Sequence, residues 1–203
     1  MEVAVWSIDP AKSALLVVDM QNDFVLEGYP MEVPNARKAI PHIQRLIAAS
    51  RSLDIPIFYT QHTLTEGAVN SPLEATYNPK LFEVGMRPGT FGVQVIDDLK
   101  PQPEDTVITK YRYNAFHNTL LEPMLKTIRG LNQIDTVIIT GTLTEVCCDS
   151  TARGAYMRDY KVAFVDDATG GLSEEAEQAT FKAMRMFFGR VMNTDAALAE
   201  MSA

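Results

Sequence analysis

Two cysteines stand side by side in the stretch GTLTEVCCDSTARG (141–154), and they are the only cysteines among 203 residues. Helical spacing separates their roles. Cys148, Ala152 and Ala155, at i, i+4 and i+7, form a stripe of small residues suited to close packing on a sheet. Cys147 shares its face with Thr151, Gly154 and Arg158 and falls in the first helical turn. Unpaired N–H groups and the helix dipole there favour a thiolate. On this reading Cys147 is the reactive sulfur and Cys148 packs; the plainer alternative makes both small buried hydrophobes, the commonest fate of a free cysteine. Two other groups could serve a thiol. Asp19 follows Leu15-Leu16-Val17-Val18 directly, a poor place for a carboxylate to be solvated, and Lys110 follows Val107-Ile108-Thr109. A carboxylate beside sulfur can take its proton and return it to a leaving group, while the cation favours the ionised forms. Each has a simpler use as well: Asp19 (or Asp23) as a cap on the following turn, Lys110 as a surface lysine. The three histidines, His42, His62 and His117, show no strand–turn arrangement with the cysteine that would suggest a Cys–His pair.

Bringing these groups together requires a frame whose strands end at one edge. Short apolar runs predict strands at 14–20, 55–61, 106–110, 135–140, 161–167 and 189–194. Helical patterns lie between them: 35–54, where Pro41 limits the start; about 118–129, closed by Gly130; one starting near Thr144; one capped by Ser173 and running to about Phe188; and a last short helix. Alternating strands and helices with unbroken apolar strands predict an α/β fold, a parallel sheet covered on both faces. In such sheets ligands bind beyond the carboxyl ends of the strands. Asp19, Gln61-His62, Lys110, Gly141–Cys147 and Asp166-Asp167 all end strands, so an acid, a base and a thiol meet at one edge. The stretch 62–104 breaks the rhythm and is too long for an ordinary connection, which predicts a lid or an oligomer contact. No repeat, linker or boundary divides the chain, so one domain over 1–203 is expected.

Composition narrows the function classes. A net charge of -8 makes nucleic-acid and anionic-membrane partners improbable on electrostatic grounds. Two adjacent cysteines cannot form a secreted disulfide framework, and they lack the Cys-x-x-Cys spacing of a redox site. The N-terminal stretch MEVAVWSIDPAKSALLVVDMQNDF has no basic leader region, and no run approaches a membrane span, so a cytoplasmic protein is expected.

Four blocks, ALLVVDMQNDF, TKYRYNAF, GTLTEVCCDSTARGAYMRDYKV and VDDATGG, resemble the isochorismatase-like cysteine hydrolases in order and spacing, from Ala14 to Thr194. That family includes nicotinamidases, N-carbamoylsarcosine and ureidoacrylate amidohydrolases, and isochorismatase itself. The resemblance implies a three-layer α/β/α Rossmann-like fold with a six-stranded sheet in the order 3-2-1-4-5-6. It implies Asp19 as general base and acid, Lys110 as the orienting cation, and Cys147, six residues after Gly141, as nucleophile. Cys148 fills a place that is usually apolar. A cis peptide joining Thr142 to Leu143 is also implied, aiming the Leu143 and Cys147 N–H groups at the oxyanion. The implied reaction is thioester-mediated cleavage of a C–N bond in a small amide, ureido or carbamoyl substrate.

The chain departs from the nicotinamidase pattern. Their Asp-x-His metal pair is replaced by Thr60-Gln61-His62, and the next histidine, His117, lies beyond Lys110, so neither metal nor cofactor is expected. An isochorismatase-type vinyl-ether hydrolase is the main alternative, supported by KYRYNAFHNT and by Gln61; a non-catalytic binding subunit is the second. Cys147 favours the amidase, because ether hydrolysis needs no nucleophile. Phe24, Gln61, His62, Arg112, Tyr113 and Phe116 are candidate substrate contacts, Arg112 hinting at a carboxylate on the substrate. Family members are commonly oligomers, so a homodimer or homotetramer is expected.

Overall fold

Six strands, β1 (Ser13–Val18), β2 (Ile57–His62), β3 (Thr106–Lys110), β4 (Thr136–Thr142), β5 (Lys161–Gly170) and β6 (Arg190–Met192), pair in parallel in the order β3-β2-β1-β4-β5-β6. This computed structural model describes residues 6–203; the first five residues, part of the N-terminal stretch considered above for a leader, lie outside the described residues. β1 is central, and every residue of its SALLVV run is buried, as a strand covered on both faces demands. Side chains alternate across it. Leu15 and Val17 enter one core, with α2 (Ala36–Ser52) and α7 (Thr194–Met201), while Leu16 and Val18 enter the other, with α4 (Leu121–Thr127), α5 (Asp149–Tyr156) and α6 (Glu174–Phe187). Edge strand β3 has the half-exposed pattern instead, with Val107 outside and Ile108 inside. Two shorter helices, α1 (Asn22–Val25) and α3 (Pro72–Tyr77), complete the set.

Most element ends follow local chemistry. Ser173 caps α6, its hydroxyl accepting from Ala176 N at 3.2 Å, with Glu174 and Glu175 in the first turn. Two boundaries differ from expectation. α2 begins at Ala36 with Pro41 inside it, forgoing one ladder bond to the carbonyl of Arg37. α4 begins at Leu121 because Asn118 has a left-handed φ of 53°, which an asparagine tolerates but a helix does not.

The excursion 62–104 carries α3 and three single turns of 3₁₀ helix. Residues just beyond β1 hold it down. Asn22 N and Asp23 N donate to the carbonyls of Gln94 and Gly92, both at 2.9 Å, and Asn22 Nδ2 donates to the Phe91 carbonyl at 2.8 Å. The Asp23 carboxylate accepts from Met86 N, so Asp23 clamps the excursion where the sequence suggested a turn cap. The Gln21 amide works in both directions, donating to the His62 carbonyl at 3.0 Å and accepting from His62 N at 2.7 Å. Among the described residues no helix is long and apolar enough to cross a membrane.

Candidate active site

Strand register brings the chemistry to one edge. Val17 pairs with Tyr59 across β1 and β2, Val18 with Gly141 across β1 and β4, and His62 with Lys110 across β2 and β3, so the four strands end within about two residues of one another. Gly141 has φ +112°, and a Cβ there would lie 2.0 Å from the Val18 carbonyl oxygen, so only glycine lets β4 pass. One residue beyond β1, Asp19 takes a left-handed φ of 47° and turns its carboxylate across the strand ends. Thr60 fixes it twice: its hydroxyl accepts from Asp19 N at 3.1 Å and donates to Oδ1 at 2.6 Å.

Lys110 Nζ lies 2.7 Å from Asp19 Oδ2, and both side chains are completely buried. The ammonium also meets the Arg112 carbonyl at 3.0 Å, His62 Nδ1 at 3.0 Å and Cys147 Sγ at 3.6 Å. Burial works against the Lys110 charge, but Asp19 and then Cys147 outweigh it and hold its pKa above the ordinary lysine value. The pair is therefore an ion pair. An ammonium has no lone pair, so His62 Nδ1 must accept, which places the imidazole proton on Nε2. Nε2 in turn donates to Glu74 Oε2 at 3.1 Å, and the Ser71 hydroxyl donates to the same oxygen at 3.0 Å. Burial pushes the Glu74 carboxyl up, but its interactions with His62, by hydrogen bond and then by charge, followed by the Ser71 hydroxyl and the Lys110 charge, reverse this and leave Glu74 below the usual value.

Cys147 sits at the end of β4, after a cis peptide between Thr142 and Leu143. The turn Thr144–Cys148 is one of π helix, Cys148 N bonding the Leu143 carbonyl at 3.0 Å, and α5 follows. Sequence reasoning gave this thiol a depressed pKa. Only 2% of Cys147 is exposed, however, and burial pushes the thiol up, with Asp19 adding to the rise and Lys110 only partly opposing it. Burial thus favours the neutral thiol, which lies beside the Asp19 carboxylate. Cys148 is fully buried in the core under α5 and α6, as its small-residue stripe implies.

A cavity of about 250 Å³ opens over Cys147. Phe24, His62, Tyr113, Leu143 and Cys147 line it, together with residues that sequence reasoning missed: Met31, Glu74, Tyr77, Asn78, Met86, Val146 and Leu172. Three expected contacts are elsewhere. Gln61 alternates with Thr60 and His62 along β2 and so turns away from the edge they share. The exposed Arg112 guanidinium donates to the carbonyls of Asn70 and Tyr111, both at 2.6 Å; only its own carbonyl reaches the site. Phe116 is buried in the second core, its ring 5.8 Å from that of Tyr160. A larger surface groove of about 620 Å³, beside Tyr156 and Phe188, contains none of these groups.

Asp19, His62 and Cys147 are, among the described residues, the one set of donors close enough to share a metal ion, within 4.8 Å of one another. The Lys110 ammonium contacts all three, so their lone pairs are turned on a protein cation.

Known proteins share this frame. Enterobactin synthase component B of Escherichia coli (strain K12) is 32% identical over 190 residues, which is 94% of this chain and 64% of that protein. The chain thus spans under two thirds of the length of the curated relatives it matches. A cysteine hydrolase from Pseudomonas syringae pv. phaseolicola superimposes with a TM-score of 0.92 at 26% identity, covering 100% of this chain and 99% of the other. N-carbamoylsarcosine amidase from Thermoplasma acidophilum gives 0.76 at 27% identity, covering 91% and 97%. The isochorismatase domain model matches residues 13–196, and the chain belongs to the isochorismatase family of hydrolases.

Proposed function

We propose that this chain is a cysteine amidohydrolase that opens a C–N bond of a small amide, ureido or carbamoyl compound. The observation that carries this reading is the contact chain Asp19–Lys110–Cys147, at 2.7 Å and 3.6 Å, which ends on a sulfur that lines the cavity. Cys147 Sγ attacks the carbonyl carbon while Asp19 takes the thiol proton. The Leu143 and Cys147 N–H groups receive the oxyanion; such a donor is typically worth about 2.7–4 kcal/mol. As the intermediate collapses, the C–N bond breaks and Asp19 gives its proton to the departing nitrogen. Water then attacks the thioester, again losing a proton to Asp19, and the acid leaves as the thiol is restored. Lys110, in contact with both groups, offsets the charge that passes between carboxylate and sulfur.

The likeness to a cysteine hydrolase and to an amidase supports this reading, and so does a buried thiol that ether hydrolysis would leave idle. Ammonia release from primary amides, ureido acids and carbamoylated amino acids tests it, with Cys147→Ala as control. Release that vanishes in the variant is expected. Silence toward every amide, with isochorismate hydrolysis that survives Cys147→Ala, would replace it with the ether hydrolase.

A further inference from the structure

Glu74 is an unassigned carboxylate in the cavity wall, delivered by α3 from the excursion. Its two hydrogen bonds, from His62 Nε2 and Ser71 Oγ, both fall on Oε2. Oε1 takes no hydrogen bond among the described residues, although the side chain is only 11% exposed. The other charged side chains of the lining have partners of their own. Glu32 accepts from Arg37 Nη2 at 2.8 Å and Gly28 N at 2.9 Å, while the exposed Lys80 ammonium is turned to the Pro30 carbonyl. Asp19 is matched by Lys110. Glu74, held on Oε2 by the His62 imidazole and the Ser71 hydroxyl, is left with Oε1 to face the ligand. Tyr113, on the same lining and beside the His62 ring, feels that carboxyl: burial first and Glu74 next push its hydroxyl up to about 12.

Resting on the amidohydrolase reading, we infer that Glu74 is the specificity-determining residue of this pocket, accepting an N–H of the substrate through Oε1 and rejecting carboxylates. The substrate class is then a neutral or cationic compound with an amide, urea or carbamoyl N–H beside the scissile carbonyl. A substrate carboxylate set against Glu74 Oε1 would meet like charge, and the Arg112 guanidinium, bonded outside the cavity, does not relieve it. Fixing Oε2 on His62, which itself abuts Lys110, sets the free oxygen at a defined place relative to the thiol.

The test is alkylation of Cys147 by iodoacetamide and iodoacetate, which share a leaving group and differ as amide from carboxylate. Rates are divided by those of glutathione with the same reagents, and the labelled sulfur is assigned by fragment mass spectrometry. The wild-type protein should favour the amide reagent by about ten- to a hundredfold over that reference, the range for a hydrogen bond to a charged group. Glu74→Gln, which keeps an acceptor for His62 and Ser71, should bring the normalised ratio close to one. Equal slowing of both reagents would mark Glu74 as a structural prop and overturn the inference, as would an unchanged ratio. Should Cys147 resist both reagents, affinities of propionamide and propionate for Cys147→Ala decide the matter. Glu74→Gln must then erase a preference for the amide, and no preference at all refutes the role. Neither readout requires turnover, so failure of the amidohydrolase assignment shows separately, as silence in the ammonia assay.

Discussion

Lys110 Nζ lies 3.0 Å from His62 Nδ1, and because an ammonium only donates, the imidazole must turn a bare nitrogen toward the lysine. A chain of defined polarity results, from Asp19 through Lys110 and His62 to Glu74 on the excursion. Nitrogen-15 NMR should show His62 protonated at Nε2 alone. Lys110→Met removes the donor and should abolish this fixed preference. An Nδ1–H tautomer in the wild-type protein would contradict the polarity.

The same ion pair governs stability. Asp19 and Lys110 have no exposed surface, so removing one partner leaves a buried charge without compensation. Such truncations typically cost about 3–5 kcal/mol, whereas replacing both charges is often neutral. Urea denaturation should therefore find Lys110→Met strongly destabilised and the double variant Asp19→Asn/Lys110→Met largely restored. Activity should stay lost in both, by at least about a hundredfold in the double variant, where the proposed general base itself is removed. A double variant as unstable as the single would mean that the pair holds the strand ends by shape rather than by charge.

Burial raises the pKa of both cysteines, and the sign of the consequence is fixed. A group whose folded pKa exceeds its unfolded value adds stability below the unfolded value and loses it as pH rises. Unfolded thiols release protons near 8.5, while the buried ones do not. Above that pH, stability should fall by about 1.4 kcal/mol per pH unit for each thiol. Denaturation between pH 8 and 10 should show this slope halved in Cys148→Ala. That variant should keep its hydrolase activity, because Cys148 Sγ faces the Thr140 carbonyl inside the core.

The grouping of Asp19, Lys110 and Cys147 was legible because each lies at or just beyond the end of a predicted strand, and a parallel sheet brings such ends together. Other features depend on contacts that no local pattern encodes. Gln61 was placed at the site on a strand ending at 61; β2 runs to His62, and that one-residue phase puts Thr60 and His62 on the working face. Glu74 reaches the pocket only because Gln21, Asn22 and Asp23 pin the excursion, and each of those bonds spans dozens of residues. The thiol's charge state failed for a related reason: a first-turn position favours the thiolate, but the depth of burial that opposes it belongs to the assembled fold.

Gly141 and Gly28 separate two reasons for glycine. Both have positive φ, +112° and +78°, so alanine at either is strained. Around Gly28 a Cβ would meet nothing within 4 Å; at Gly141 it would lie 2.0 Å from the Val18 oxygen and 2.6 Å from the Val18 nitrogen. Backbone on a central strand cannot swing aside as a side chain can, so β4 would have to move off β1. That shift would carry the cis peptide and Cys147 away from Asp19 and Lys110. Gly28→Ala should lower stability by about 1–2 kcal/mol and leave turnover intact. Gly141→Ala should lose more than about 3 kcal/mol and nearly all activity, beyond what backbone strain alone costs. Thermal denaturation and ammonia release on the two variants test this. Equal losses would mean that φ, and not the approach of β1 to β4, dictates the glycine before the nucleophile.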